Sequence, residues 1–359
     1  MDILDSGPIA SLLGRGSASI TVPTLDGAFR TNDLLESAEL FVEKIGADCL
    51  ANANGRLILS AGHQVYEMNK NECKSIAKFE AKVTALAAYE ENFAVGLENG
   101  GVEIIGGRHE GKYFPNVNCA TSIILNSDEL IVAEGSDCLL ADEWARDLLE
   151  KNNYGKVISL NLKTKKQKII ADGAAWAGGL VATPNGEVLV TQSWRHCLSK
   201  VDDLREKGAV CANLPGYPSR ISIAVDGGYW MAIFGMRTQL LEFILREHQY
   251  RKQMLETVPP EYWIAPTLVS RENFMDPMQQ GAVKKLGIKK PWAPPRSYGL
   301  VVKLDKNFQP QYSLHSRVGG LRHGVTSMVE VDGCLYVVSR GAGQVLTLDI
   351  TDIESEIIR

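Results

Sequence analysis

Paired cysteines, long apolar runs and clustered positive charge are all missing from this sequence, and each absence excludes a class of protein. The sequence has seven cysteines, an odd number, and none of them forms a Cys-x-x-Cys motif. Both observations argue against a disulfide framework and against a zinc site. No apolar stretch approaches the roughly 20 residues that cross a bilayer. The first residues also lack a basic region followed by an apolar run, as a secretory signal would have. We therefore expect a cytoplasmic protein with no membrane partner.

The charge balance argues against a nucleic-acid partner. The net charge is −5, whereas a surface that binds nucleic acid needs clustered lysine and arginine. The one basic cluster, at residues 284–290, lies in a stretch containing proline and glycine and is interpreted as a solvated loop. A small-molecule substrate remains as the expected partner, and the sequence leaves the oligomeric state unknown.

A short unit of hydrophobic strands and tight turns does recur along the chain. Its clearest copy runs over residues 214–235, where the Asp-Gly-Gly sequence at 226–228 supplies a hairpin turn. Ile221, Ile223 and Val225 alternate with small or polar residues and are predicted to form one buried face of a strand. Six such units, about 40 residues apart where uninterrupted, predict an all-β, six-bladed β-propeller that forms a single domain over residues 1–359.

The sequence also predicts how the ring closes and where it is interrupted. A strand at residues 18–23 is expected to complete the last blade, because a closed ring leaves no exposed strand edge. Residues 142–151, in the third unit, are rich in helix formers. The fifth unit contains a helical and proline-rich insertion at 238–296, which we expect to cover the central channel.

Five motifs make the chain resemble the strictosidine-synthase-like group of six-bladed propellers, which is close to the gluconolactonase and paraoxonase enzymes. They are Leu214-Pro-Gly-Tyr-Pro218, Tyr229-Trp-Met-Ala232, Gly235-Met-Arg-Thr238, Tyr262-Trp-Ile-Ala-Pro266 and Asp332-Gly-Cys-Leu-Tyr-Val-Val338. The resemblance is strongest from residue 170 onward. It is specific for the fold but not for the reaction, since the group spans several chemistries.

For the lactonase relatives, the resemblance implies a central divalent metal held by residues that open the blades. Those positions carry Asp48, Ala120 or Thr121 with Asn118 nearby, Gly178 and Ser219. One acid with such neighbours is a poor ligand set for calcium, and Arg220 places a cation beside it. We therefore predict no cofactor. A metal such as calcium, if bound, would use Asp48 and Asn118.

For strictosidine synthase itself, the resemblance implies a glutamate that acts as acid and base at the start of the last blade. The matching position is Thr326, and a threonine hydroxyl does not titrate near neutral pH. Neither chemistry of the group is therefore retained in full.

Three residues at the predicted channel rim are candidates for catalysis. His323 is the best candidate for a general base, or else a structural histidine of the rim. Asp48 either handles protons or bonds backbone N–H groups at the channel mouth. Glu134 is either an acid–base group or the partner of Arg220.

A further set of rim residues is predicted to bind the substrate. It consists of Arg220, Arg237, Trp194, Arg195, Ser219, Thr326 and Arg340. Its four arginines suit an anionic or oxygen-rich molecule. Arg237 either binds the substrate or anchors the following helix, and Arg340 lies either in the pocket or on the surface. Trp194 and Arg195 form either a shelf for a ligand or a cation–π pair on a loop.

These observations favour a metal-independent hydrolase that acts on a lactone- or ester-type bond of a polar or anionic metabolite. Two alternatives remain open. One is an enzyme that forms or cleaves a C–N bond, as strictosidine synthase does. The other is a non-catalytic propeller that binds a ligand or serves as a scaffold.

Overall fold

A computed structural model describes residues 22–270, 284–285, 288–289 and 297–358 of the chain. It contains six antiparallel sheets of four strands each. The first strands of neighbouring sheets contact one another in sequence around a ring, and the last sheet contacts the first. The prediction of an all-β, six-bladed propeller is therefore confirmed.

The first half of the ring is formed by consecutive strands. Strand β1 (Glu39–Glu43) precedes the first blade. Blade 1 consists of β2 (Ala47–Ala53), β3 (Arg56–Ala61), β4 (Gln64–Asn69) and β5 (Glu72–Lys78). Blade 2 consists of β6 (Val83–Tyr89), β7 (Asn92–Leu97), β8 (Val102–Ile105) and β9 (Tyr113–Phe114). Blade 3 consists of β10 (Ala120–Leu125), β11 (Glu129–Glu134), β12 (Gly155–Asn161) and β13 (Gln167–Ala174).

The second half contains the larger interruption. Blade 4 consists of β14 (Ala177–Ala182), β15 (Val188–Gln192), β16 (Cys197–Lys200) and β17 (Ala209–Cys211). Blade 5 begins with β18 (Gly216–Ile223) and β19 (Tyr229–Met236). A separate hairpin of β20 (Lys284–Lys285) and β21 (Ile288–Lys289) follows, and the blade ends with β22 (Gly299–Leu304) and β23 (Pro310–Ser316). Blade 6 consists of β24 (Val325–Val331), β25 (Cys334–Ser339), β26 (Gln344–Asp349) and the early strand β1.

The strand that closes the ring is β1, so the prediction of residues 18–23 is wrong. β1 pairs antiparallel with β26 at the outer edge of blade 6. Its Phe41 and Val42 pack into the hydrophobic cluster between blades 6 and 1. Val22 and Pro23 lie outside any strand, and residues 18–21 lie outside the described residues. The physical reason is that the closing strand must bury apolar side chains between blades, which β1 does.

The hydrophobic core is divided among the contacts between neighbouring blades. Six clusters each combine residues of two adjacent blades. Between blades 2 and 3, for example, Val102 and Ile104 share a cluster with Ile123 and Leu130. Because each sheet is covered on both faces by its neighbours, its inner strands are buried on both faces.

Helices from blades 3 and 5 pack together outside the sheets. Helix α1 (Trp144–Glu150) lies between β11 and β12, in the segment predicted to be helical. Helices α2 (Gln239–Ile244) and α3 (His248–Thr257) lie in the described part of the fifth-blade insertion, and α4 (Ile350–Ile358) follows β26. Leu149 of α1 shares a seventh cluster with Leu241 and Met254 of the insertion. We call α1, α2 and α3 the helical cover.

The hairpin with which blade 5 begins departs from its predicted burial. The turn at 226–228 is present, with Gly227 at a φ of +83° that favours glycine. Ile221 is buried as predicted, but Ile223 and Val225 are exposed. The reason is that β18 ends at Ile223 and that connecting turns run over the surface. No helix of the described residues is long and apolar enough to cross a membrane.

Candidate functional site: the cavity of the central channel

Each blade places one or two residues at the axis through an irregularity in its first strand. The strand pairing shifts at one residue in five of the blades, and in blade 5 it shifts over two neighbouring residues. A bulge of this kind turns a side chain away from the regular alternation. The bulge residues, all of which line one cavity, are Asp48, Thr84, Thr121, Gly178, Ser219, Arg220 and Thr326.

The cavity has a volume of about 270 Å³ and two chemically different walls. Trp144, Trp176 and Phe234, from blades 3 to 5, form an aromatic wall. Lys82 and Arg340, from blades 2 and 6, form a charged wall opposite. Asp142 and Leu268, from the insertions of blades 3 and 5, also line the cavity. Both insertions therefore reach the channel, although the sequence predicted only the second one to do so.

Arg220 lies at the centre of the bulge residues with its guanidinium bonded to protein oxygens. Its Nε donates to the Thr121 carbonyl at 3.0 Å, and its Nη2 donates to the Thr84 carbonyl at 2.7 Å. Nη1 donates to the carbonyls of Asp48 and Thr326 at 3.3 and 3.2 Å. Two further bonds, at 3.3 and 3.2 Å, reach the Asp48 carboxylate. The predicted substrate-binding residue thus uses its donors on the protein itself.

Asp48 is the carboxylate partner of two arginines. It lies 3.2 Å from Arg220 and 3.4 Å from Arg340, and 11% of its side chain is exposed. Burial by itself would raise the pKa of Asp48, but the charges of Arg220 and Arg340 lower it to about 2. Asp48 is therefore ionised at neutral pH, and Arg220 pairs with it and not with Glu134.

The charged wall is held together by Asp142, which the sequence did not single out. Arg340 donates to Asp142 at 3.4 Å, and the Lys82 ammonium also pairs with it. Lys82 lies 3.6 Å from Glu98 as well. Burial opposes the charge of Asp142, but its bond to Lys82 and the nearby Arg340 keep its pKa lowered. Arg340 therefore lies in the pocket, which decides between its two predicted positions.

Two of the smaller predicted residues link the inner strands. The Thr326 hydroxyl donates to the Asp48 carbonyl at 2.8 Å, and the Ser219 hydroxyl donates to the Thr326 carbonyl at 3.2 Å. Both side chains line the cavity. They hold blades 5, 6 and 1 at the axis and present little free polar surface.

Glycines in blade 4 allow the strand that carries Arg220 to approach closely. A Cβ atom at Gly179 would lie 2.7 Å from the Arg220 Cα atom, and one at Gly178 would lie 2.7 Å from the Ser193 hydroxyl. Both distances are shorter than van der Waals contact. The absence of a side chain at the third metal-ligand position of the relatives therefore has a packing reason in this chain.

We expect Gly179→Ala to lower the free energy of unfolding by about 1–3 kcal/mol, because the added methyl group must displace the backbone at residues 219–220. Urea denaturation of this variant would measure the loss. The control is Ala182→Gly, which changes one methyl group on the same strand. Gly186→Ala would not serve as a control, because the positive φ of Gly186 would itself strain an alanine. A Gly179→Ala variant as stable as the wild type would contradict the close approach.

His323 lies outside the cavity lining. Its Nδ1 lies 2.6 Å from the Ser297 hydroxyl, and its Nε2 lies 3.1 Å from the Arg317 carbonyl. Only 2% of the residue is exposed, and burial lowers its pKa. Both ring nitrogens are therefore engaged within the protein, as expected of a structural histidine of the rim, and we assign His323 no catalytic role.

Glu134 and Asn118 are bonded to each other and lie outside the cavity lining. The Glu134 carboxylate accepts the backbone N–H of Asn118, and the Asn118 amide donates to the Asp137 carbonyl at 2.8 Å. Neither residue is part of the cavity lining. Burial raises the pKa of Glu134. The structure therefore brings neither the predicted acid–base group nor the predicted metal ligand to Asp48.

Trp194 lies behind the aromatic wall, and neither it nor Arg195 forms a shelf in the cavity. The Trp194 indole donates to Asp147 at 2.7 Å, and its ring lies 5.4 Å from that of Trp176. Arg195 is exposed and donates to Gln192 at 2.6 Å and to the Leu204 carbonyl at 2.9 Å. Trp194 thus supports the wall, whereas Arg195 belongs to the edge of blade 4.

Arg237 anchors the helix that follows it, as one of its two predicted roles required. Its guanidinium lies 3.3 Å from Glu242 of α2 and donates to Asn213 at 3.0 Å. His196 contacts the same carboxylate at 3.4 Å. Burial opposes ionisation of Glu242, but these two partners lower its pKa to about 2.

The cavity contains functional candidates that the sequence reasoning missed. Thr84 occupies the bulge position of blade 2, and the equivalence of the six inner strands could have revealed it. No sequence signal indicated the remaining ones. Phe234 lies on β19, and the others lie in insertions and loops without repeat spacing: Lys82, Asp142, Trp144, Trp176 and Leu268.

The bulge residues do not fit a divalent metal. Asp48 is the single carboxylate among them, and both of its oxygens are bonded to Arg220. The Arg220 cation contacts the carbonyls that would otherwise face a metal. Within the described ranges, no group of three or more His, Cys, Asp and Glu residues is arranged to hold a metal ion.

Several curated proteins are similar to this chain in sequence. The adipocyte plasma membrane-associated protein of Rattus norvegicus is 23% identical over 88% of this chain and 87% of its own length. The protein of the same name from Salmo salar is 24% identical over 57% of this chain. That match covers 45% of the length of the Salmo salar protein. The protein STRICTOSIDINE SYNTHASE-LIKE 7 of Arabidopsis thaliana is 22% identical over 42% of this chain and 40% of its own length.

Among solved structures, a protein described as a gluconolactonase superposes with a TM-score of 0.52. It is 10% identical and matches over 87% of this chain and 92% of its own. No protein-family model matches the sequence. The resemblance is therefore confirmed: this chain is a six-bladed β-propeller whose homologues are the adipocyte plasma membrane-associated proteins and a strictosidine-synthase-like protein.

Proposed function

We propose that this chain is a small-molecule enzyme that hydrolyses an ester- or lactone-type bond in its channel cavity without a metal ion. The observation that carries the proposal is the combination of an ionised carboxylate, Asp48, with a cation that has a free donor, Arg340. The Nε of Arg340 has no hydrogen-bond partner in the part of the chain that the structure describes, and 34% of its side chain is exposed.

Arg340 is the group suited to the charge that develops during hydrolysis. Attack by water on an acyl carbon places negative charge on the carbonyl oxygen, and a preorganised cation stabilises that charge in a site with little water. Arg220 adds a second positive charge nearby but has its donors engaged by protein oxygens. Arg340 would therefore contact the substrate, whereas Arg220 would contribute through its field.

Asp48 is suited to positioning the attacking water. Its carboxylate accepts hydrogen bonds, but a pKa of about 2 makes it a weak base at neutral pH. In the proposed reaction, the water oxygen bonds to the acyl carbon, the bond to the leaving oxygen breaks, and the water proton passes to that oxygen. Orientation and charge stabilisation would supply the acceleration, with little help from general-base catalysis.

The fold that this chain shares with a structure described as a gluconolactonase supports this reaction class only by analogy, since one fold serves many chemistries.

A specific observation favours a second candidate, a propeller that binds a ligand without converting it. Lys82 has a raised pKa, whereas Asp48 and Asp142 have lowered ones. These shifts hold the charges fixed near neutrality and leave these groups poor at proton transfer. The C–N bond chemistry of strictosidine synthase has less support, because the Thr326 hydroxyl is bonded to the Asp48 carbonyl.

A substrate panel tests the proposal. Wild-type protein is assayed with lactones, aryl esters and amine–aldehyde pairs, with and without EDTA. We expect turnover of a lactone or ester that EDTA leaves unchanged. Arg340→Gln should lower kcat/KM about 100-fold, as loss of one group that stabilises an oxyanion does.

The matched control is Arg317→Gln, since Arg317 forms an exposed pair with Asp33 away from the cavity. This variant should retain wild-type turnover. Turnover that requires a metal, or that is equal in the Arg340 variant, would contradict the proposed mechanism. Saturable binding of panel compounds without turnover would establish the binding-only candidate instead.

A further inference from the structure

We propose that the Arg220 guanidinium replaces a central metal ion, as a built-in cation that holds the inner strands of the propeller together. This inference concerns the architecture of the channel and does not depend on the proposed reaction. It rests on the positions of the bonded oxygens, which come from blades far apart in the sequence.

The contacts of Arg220 extend around most of the ring. From its place in blade 5, its donors reach Asp48 of blade 1, Thr84 of blade 2, Thr121 of blade 3 and Thr326 of blade 6. Blade 4 contacts the same residue through the backbone, at Gly179. The side chain therefore contacts four of the other blades at the axis, and the backbone of the same residue contacts the fifth.

The chemistry of these acceptors is that of a cation site. Four are backbone carbonyl oxygens and two are the oxygens of one carboxylate. Calcium sites are built from the same two kinds of oxygen, in sets of 6–8 ligands. A guanidinium satisfies such a set in another way, because it carries five N–H donors in one plane and a permanent positive charge.

A covalently attached cation also excludes a free one. A metal ion at the axis would have to displace the guanidinium from six hydrogen bonds or lie beside its positive charge. Removal of the arginine side chain should have the opposite effect. It would leave the oxygens of Asp48, Thr84, Thr121 and Thr326 facing a space without a cation, which is a latent site for a divalent ion.

The test compares melting temperatures in EDTA, in calcium and in magnesium. We expect the wild type to melt at one temperature in all three buffers. Arg220→Ala in EDTA should melt lower by on the order of 5 °C or more, and calcium should restore at least half of that loss. Isothermal titration should detect calcium binding to Arg220→Ala and none to the wild type.

Arg195→Ala is the matched control, because Arg195 bonds a carbonyl and an amide at the edge of blade 4, outside the cavity. It should behave as the wild type does in every buffer. If Arg220→Ala yields soluble protein only when calcium is present, that result supports the proposal. If it yields none in any buffer, the same measurements on Arg220→Gln decide, since its neutral amide also leaves Asp48 without a cation.

Three results would overturn the proposal. The first is a wild type whose melting temperature responds to calcium or to EDTA. The second is an Arg220 variant as stable as the wild type in EDTA. The third is an Arg220 variant that is destabilised but unaffected by calcium and magnesium. The hydrolysis assay cannot produce any of these results, so the two proposals fail independently.

Discussion

Asp48→Asn is expected to lower the free energy of unfolding by about 3–5 kcal/mol, because it leaves the buried Arg220 cation without a carboxylate. The substitution keeps the size of the side chain, so the loss reports on charge and not on a cavity. Urea denaturation at neutral pH measures it. The control is Asp33→Asn, which breaks an exposed pair with Arg317 and should cost less than about 1 kcal/mol.

A double-mutant cycle separates the ion pair from its surroundings. Arg220→Met removes the cation and keeps much of the apolar stem, and the double variant with Asp48→Asn contains neither charge. We expect the double variant to be more stable than the sum of the two single losses predicts, by about 0.5–3 kcal/mol. Losses that simply add would show that the two residues act independently, contrary to the observed contact.

The same pair should make the protein sensitive to acid. The pKa of Asp48 is about 2 in the folded protein, against an ordinary value of 3.8 for this carboxyl group. A lowered pKa contributes stability that is fully present above the unfolded value and is lost as the pH falls through the folded one. Between pH 4 and pH 2, protonation should therefore remove about 2 kcal/mol, which Asp48→Asn does not lose. A variant curve parallel to that of the wild type would exclude this contribution.

Glu242→Gln is expected to lower the free energy of opening the helical cover by about 3–5 kcal/mol. Glu242 is the only carboxylate within ion-pair distance of Arg237 among the described residues, and His196 contacts it too. A neutral amide leaves the partly buried Arg237 without its counter-charge. Hydrogen exchange should show faster exchange over α2 and α3, whose side chains share a cluster with Leu149 of α1.

The matched control for Glu242 lies on the next helix. Glu256 pairs with Lys252 at 3.9 Å, and more than half of each side chain is exposed. Glu256→Gln should change stability by less than about 0.5 kcal/mol and leave the exchange of α2 unchanged. Equal exchange in both variants would show that Glu242 does not anchor the cover.

Much of the fold was predictable because its determinants are local. The hairpin turn at 226–228 and the helical segment at 142–151 depend on residues that are neighbours in the sequence, and both are present. The closing strand was wrongly predicted at residues 18–23. Its true position depends on the fit of Phe41 and Val42 between two blades. No local pattern reports that fit.

The candidate site was predictable only in part. Asp48, Ser219, Arg220, Thr326 and Arg340 line the cavity, as their positions at the rim of the channel had indicated. His323 and Glu134 have equally plausible positions in the sequence, yet local bonds to Ser297 and Asn118 keep them away. Side-chain direction at a strand end depends on such bonds and on bulges, neither of which alternation alone reveals.

By itself, the sequence determined the repeated strands, the turns between them and most of the positions at which the blades reach the axis. Only the tertiary structure decided what those positions do together. Arg220 meets Thr121 and Asp48 across 99 and 172 residues of sequence, and it does so only because the ring closes. Strand and turn formation depend on short-range sterics and hydrophobic alternation, whereas the pairing of charges depends on distances that exist only in the folded ring.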